Sequence, residues 1–78
     1  MMTYEILGGG HIAAASELGL VEALRADCQA WVPSVSIEDF MEGMAARCKM
    51  QTGAEVSTLD VTSFLIDLIA GGFLKPAS

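Results

Sequence analysis

Hydrophobic residues in the C-terminal part of the chain follow a helical spacing that covers most of one helix surface. Residues 57–74 predict this helix, with an N-cap at Ser57 or Thr58 and a stop at Gly71 and Gly72. The polar residues that share its one narrow stripe are Asp60, Ser63 and Asp67. A helix that is apolar over so much of its circumference must be covered on several sides.

The cleanest amphipathic pattern precedes this helix. Its apolar residues, spaced i, i+3, i+4, i+7 and i+11, are Ile37, Phe40, Met41, Met44 and Cys48. Ser36 stands before the first of them and Asp39 follows three residues later, which is the pattern of a capping box. The pattern predicts a helix from this cap to about Met50.

The N-terminal part is less regular. Residues 3–7 predict a short strand or an irregular arm, which the glycines at 8–10 end. The Ala-rich residues 11–18 predict a helix. We expect a break near Gly19, because one continuous helix would place Glu17 within the apolar face of residues 20–28.

The remaining segments connect these elements. Residues 29–35, which include Trp31 and Pro33, predict a connector, and residues 71–75 predict a small wing. The order of these elements along the chain predicts a mainly α fold. It is a winged-helix-like bundle of three to four helices with at most a short strand pair or wing. A chain of 78 residues forms one domain, here residues 11–75, preceded by an N-terminal arm at residues 1–10.

Three segments resemble the N-terminal winged-helix dimerisation domain of small-molecule O-methyltransferases. They are AAASELGLVEAL at 13–24, VSIEDFMEGMA at 35–45 and VTSFLIDLIAGGFL at 61–74, so the resemblance covers about residues 12–74. The catalytic domain and cofactor-binding segments of that family have no counterpart within these residues. The resemblance therefore implies pairing through apolar helices and no catalysis.

The last two helices also resemble those of PqqD-type modules, which bind precursor peptides for modifying enzymes. In that family an N-terminal strand pair accompanies the helices. Residues 1–10 of this chain predict at most one strand, so the pair is not evident in the sequence.

Charge narrows the choice of partners. Ten acidic residues against four basic ones give a formal net charge of -6, which disfavours direct nucleic-acid binding because that draws on Lys and Arg to neutralise phosphates. An acidic face is predicted from Glu38, Asp39, Glu42, Asp60 and Asp67. With no apolar run of about 18 residues and no signal-peptide pattern, we expect a cytoplasmic protein without membrane contact.

Few residues suggest chemistry. Gly8 to Ala13 fit G-x-G-x-x-A, the pattern of a dinucleotide-binding site. Such a site needs further parallel strands, whereas the residues after 35 predict helices. The pattern is therefore interpreted as a glycine arm before a helix. His11 has no second ligand nearby, and Cys28 and Cys48 fall on apolar faces typical of buried thiols. The sequence therefore predicts no catalytic residue, metal or cofactor, and no enzyme.

The sequence favours a non-enzymatic protein–protein interaction module, an adaptor or accessory subunit acting as a homodimer. The reason is that the C-terminal helix has more apolar surface than so small a domain can cover. The predicted interface residues are Val61, Phe64, Leu65, Leu68, Ile69 and Phe73. Two alternatives remain: a small acidic inhibitor of the phage type, which mimics nucleic acid and blocks a basic site, and a PqqD-like peptide-binding chaperone.

Overall fold

The computed structural model describes residues 1–30 and 32–77, so Trp31 of the predicted connector lies outside the described residues. The elements in chain order are β1 (Met2–Ile6), β2 (His11–Ala14), α1 (Glu17–Asp27), α2 (Ile37–Thr52), α3 (Val61–Ala70) and β3 (Leu74–Pro76). The strands form one antiparallel sheet in the order β2-β1-β3. The N-terminal hairpin and the C-terminal strand therefore meet on β1.

The predicted mainly α, winged-helix-like bundle is wrong. Helices account for about 49% of the described residues and strands for about 16%, which makes the fold an α/β mixture. Residues 2–6 are the central strand of the sheet rather than an arm, and the expected wing is β3, which pairs with β1. Strand pairing between the two ends of the chain cannot be read from local spacing alone.

The helix predicted over residues 11–18 is also wrong. His11–Ala14 is strand β2, in which burial alternates and Ile12 faces the core. Pairing with β1 and burial of Ile12 outweigh the helical propensity of the alanines. The conflict at Glu17 disappears because α1 begins there, after Ser16, whose hydroxyl accepts the Gly19 N–H at 3.1 Å.

Gly19 lies inside α1 and does not break it. A Cβ added there would lie 3.0 Å from the Ala14 Cβ, tighter than ordinary packing. The absence of a side chain therefore lets the first turn of α1 pack against the end of β2.

The two later helices form where the apolar pattern predicts them. Ser36 caps α2 by accepting the Asp39 N–H at 3.1 Å, and Gly53 ends the helix in the left-handed conformation. The predicted caps of α3 at Ser57 or Thr58 are wrong. Asp60 is the N-cap, because its carboxylate accepts the Ser63 N–H at 2.7 Å.

The C-terminus of α3 closes as expected. The Phe73 N–H donates to the Leu68 carbonyl at 2.9 Å and the Gly72 N–H to that of Ile69 at 3.1 Å, the pair of bonds in a Schellman motif. Gly72 has φ of 81°, which glycine adopts without strain. This turn directs the chain straight into β3.

The core lies between the inner face of the sheet and the three helices. Phe40 of α2 and Phe64 of α3 meet edge to face at its centre, with ring centroids 6.0 Å apart. The buried apolar residues are Ile12, Leu20, Val21, Leu24, Cys28, Val32, Phe40, Met41, Cys48, Phe64, Leu65, Leu68, Phe73 and Leu74. The described residues include no buried polar or charged side chain.

Candidate functional site

The predicted dimer interface lies largely inside the chain's own core. Phe64, Leu65, Leu68 and Phe73 are buried, and Val61 and Ile69 are partly buried against the same core. These side chains therefore present little surface to a second copy. The apolar residues that do remain exposed on and before α3 are Ile66 and Leu59, at 58% and 85%.

Three members of the predicted acidic face accept backbone N–H groups within the chain, and two of them, Asp60 and Asp67, belong to the cap and body of α3. Asp60 accepts the Ser63 N–H, and hydrogen bonds from Ser63 hold the pKa of its carboxyl below the usual value. Asp67 accepts the Ser57 N–H at 2.8 Å and so fastens the loop that precedes α3. Both carboxylates thus have structural roles.

The other three acids lie on the first turns of α2. Asp39 accepts the Val35 N–H at 3.0 Å and completes the helix start. Glu38 and Glu42 are exposed. The structure therefore spreads the acidic set over two helix starts and one loop contact, with two carboxylates directed to solvent.

The glycine-rich segment forms the turn of the β1–β2 hairpin. The Gly9 N–H donates to the Ile6 carbonyl and the Ile6 N–H to that of Gly10, each at 3.0 Å. The G-x-G-x-x-A pattern therefore leads into a strand, so the helix N-terminus that would bind a pyrophosphate does not follow it. The prediction of a glycine arm before a helix is likewise wrong.

His11 lies on the outer face of the sheet rather than at a helix start. Its Nε2 is 3.6 Å from Oε1 of Glu5, the residue directly across on β1. Both side chains are more than half exposed. The pair belongs to a solvated sheet face.

The edge of β2 is the first candidate site. Hydrogen-bonded pairs alternate along an antiparallel ladder, and the Ile6–Gly10 bond places Ile12 in the next paired position opposite Tyr4. The N–H and C=O groups of His11 and Ala13 consequently point away from β1. No other group in the described parts of the chain hydrogen-bonds to them.

The edge of β3 differs. Leu7 donates to the Phe73 carbonyl and Ala77 to that of Thr3, each at 2.9 Å, so Leu74 and Pro76 are the residues whose backbone faces outward. Proline has no N–H to offer. Only one outward donor therefore remains on this three-residue strand.

A pocket at the turn end of the hairpin is the second candidate site. It lies between the glycine turn, the C-terminal end of α1 and the second half of α2, and its cavity volume is about 110 Å³. Its lining residues are Ile6, Leu7, Gly8, Gly9, Asp27, Cys28, Val32, Met44, Arg47, Cys48, Gln51 and Phe73. The floor is made of buried apolar groups, and exposed residues form the rim.

Both cysteines line this pocket as free, buried thiols. Burial raises the pKa of the Cys28 thiol, and the Asp27 carboxylate adds to the effect. Burial also raises the pKa of Cys48, which the Arg47 guanidinium partly opposes. Thiols whose pKa is raised are mostly protonated at neutral pH, so they contribute apolar wall and react slowly as nucleophiles.

No cluster of three or more potential metal ligands occurs among residues 1–30 and 32–77. Within the same residues, every helix is too short or too polar to cross a bilayer. No protein-family model, curated protein sequence or solved structure matches the chain. The functional interpretation therefore depends on the geometry of the β2 edge and of the pocket.

Sequence reasoning missed the second strand, although a signal for it exists. Tyr4 and Ile6 alternate with polar residues before the glycines, and the polar His11 precedes the β-branched Ile12 after them. Two alternating segments around a glycine-rich turn are typical of a hairpin. The pocket has no such signal, because segments distant in sequence form it.

Proposed function

We propose that this chain is a non-enzymatic peptide-binding module, which takes an extended segment of a partner protein as a fourth strand on the edge of β2. The observation that carries the proposal is the row of outward N–H and C=O groups at His11 and Ala13. An exposed sheet edge of this kind is a ready template for strand addition.

The resemblance to PqqD-type modules supports the same function. β1 and β2 form a strand pair ahead of α2 and α3, an arrangement like the one that the resemblance implies. A chaperone that presents a precursor peptide to a modifying enzyme needs a reversible binding surface and no catalytic group. An accessory role beside a larger enzyme fits this arrangement.

One exposed apolar side chain follows β2 closely in the chain. Leu18, on the first turn of α1, is 49% exposed, and its neighbour Gly19 packs against Ala14 at the end of β2. Leu18 is therefore a candidate contact for a side chain of the added peptide.

Charge gives the peptide a preferred composition. The chain carries ten acidic and four basic residues, so Lys or Arg flanking the paired segment should speed its association. That contribution should fall as salt screens the exposed charges.

The test uses random peptides displayed on phage, selected on the wild-type protein, and then measures the affinity of the enriched peptides by fluorescence anisotropy. Ala13→Pro removes one outward N–H but no bond to β1, because Ala13 and Thr3 form a non-hydrogen-bonded pair. We expect this variant to weaken binding by about tenfold or more. Pro76→Ala, the matched change on the other edge, should leave affinity within about twofold.

Circular dichroism and urea unfolding control for the folding of both variants. The proposal fails if no peptide is enriched, or if Ala13→Pro binds as tightly as wild type. A second copy of the chain is the competing occupant of the edge. A sedimentation coefficient that rises with protein concentration, and no longer does so in Ala13→Pro, would identify the homodimer instead.

A further inference from the structure

The size of the pocket beside the glycine turn limits what it can hold. Its volume is about 110 Å³, whereas pockets for cofactors and drug-sized ligands occupy about 300–1,000 Å³. An apolar cavity of about 150 Å³ is just large enough for benzene. The pocket therefore suits a single aliphatic side chain.

The buried part of the pocket lining suits an aliphatic side chain. Val32, Phe73 and Cys48 are buried there, and both thiols are mostly protonated because burial raises their pKa. Met44 contributes a flexible thioether wall that can adjust to side chains of different branching. The buried part of this lining gains free energy from covering apolar atoms, while Asp27, Arg47 and Gln51 supply polar groups beside it.

The pocket lies next to the turn that leads into β2. The exposed Gly8 and Gly9 form part of its rim, and a Cβ added to either would meet nothing within 4 Å. Gly10, which leads into β2, lies close to the Asp27 carboxylate on the same rim, since a Cβ there would be 3.5 Å from Oδ2. The start of β2 is therefore adjacent to one lining residue of the pocket, Asp27.

We infer that this pocket receives one aliphatic or thioether side chain of the bound peptide, Leu, Ile or Met, and so gives the peptide site its sequence preference. The inference rests on the proposed function. The anchor side chain lies beyond the segment paired with β2, on the His11 side, where Gly10 and Asp27 are close together. Alanine leaves the pocket unfilled, and tryptophan exceeds its volume.

The test starts from the same displayed peptides, about 12 residues long so that they can pair with β2 and reach the pocket. Enriched sequences should share Leu, Ile or Met at one position, at a fixed distance from the paired segment. Replacing that residue by Ala in a synthetic peptide should weaken binding about 10- to 100-fold. Replacing it by Trp should weaken binding at least as much.

The protein variant Met44→Trp places a larger side chain in the pocket wall, where it should occupy the space of the peptide's anchor. This variant should bind the Leu and Ala peptides with equal, weakened affinity. Met50→Trp is the control, because Met50 lies on the same helix, is exposed and does not line this pocket. It should keep the full preference for Leu.

Thiol protection gives a readout that needs no protein variant. The saturating Leu peptide should slow the reaction of Cys28 and Cys48 with methyl methanethiosulfonate, measured by intact-mass spectrometry, more than the saturating Ala peptide does. Peptides that bind and lose affinity in Ala13→Pro, yet show no anchor preference or no differential protection, would overturn this inference and leave the proposed function standing. Failure to enrich any peptide would overturn both.

Discussion

The two edges of the sheet differ in what they offer a partner. β2 ends the sheet with His11 and Ala13, whose backbone groups face outward, and carries neither proline nor lysine. β3 is three residues long and includes Lys75 and Pro76, two residues that natural sheets use to blunt an edge. One edge is therefore closed to strand addition while the other is left open.

The two edge strands also reach the helices differently. After β2, the chain enters α1 within two residues and Ser16 caps the new helix. β3 instead follows the Schellman turn of α3, so the end of a buried helix fixes where it starts. The position of β3, the closed edge, therefore depends on core packing and on the turn after α3. The position of β2, the open edge, depends on the β1–β2 hairpin.

The largest effect should come from the side chain that anchors the closed edge. Leu74 is 1% exposed at the start of β3, so Leu74→Ala should lower the free energy of unfolding by about 2–5 kcal/mol. Urea denaturation measures the loss, and hydrogen exchange should show faster exchange at Leu7, whose amide pairs with Phe73. Leu18→Ala, at a half-exposed position, should change stability by less than about 0.5 kcal/mol. Equal losses in the two variants would show that packing does not anchor β3.

A smaller effect should follow from the turn that starts β3. Gly72 has φ of 81°, and a Cβ in that conformation costs about 1–2 kcal/mol. Gly72→Ala should therefore lower the free energy of unfolding by about that amount in a urea titration. Gly72→Asn should lose less, because asparagine tolerates the left-handed region better. A neutral Gly72→Ala would mean that β3 can start without the Schellman turn.

The smallest effect concerns the N-cap of α3. Hydrogen bonds from Ser63 lower the pKa of Asp60 below its ordinary value of 3.8. A carboxyl whose pKa is lower in the folded state stabilises the fold above pH 3.8, and this contribution is lost as pH falls through the folded-state value. Asp60→Asn should keep the cap but flatten this acid limb of the stability–pH curve, measured by thermal unfolding between about pH 2 and 6. If Asp60→Asn loses stability at low pH as the wild type does, other carboxylates cause the acid sensitivity.

The helices were the predictable part of the fold because their signals are local. The spacing from Ile37 to Cys48 and the serine cap at Ser36 identify α2 from neighbouring residues alone. The glycine stop of α3 was equally clear. Its N-cap was misplaced because several residues between 57 and 60 have side-chain oxygens that could cap, and only the packed helix selects Asp60.

The sheet is harder to predict for the opposite reason, because its pairing is not local. Alanine favours a helix at 11–18, so local propensity opposed the strand that forms. Pairing of β3 with β1 joins residues about seventy positions apart, and no neighbouring residue signals it. The candidate sites are equally hard to predict from local patterns, because the β2 edge and the pocket both require the assembled sheet.

Local patterns in the sequence specify an acidic chain, its two later helices and the placement of both cysteines on apolar faces. Only the folded chain shows that the apolar face of α3 is covered mainly by its own residues, and that β2 keeps an open edge near a small pocket. The spacing of apolar residues along the chain indicates which side chains avoid water. It does not record which distant segment covers them, because that depends on contacts formed only when the whole chain folds.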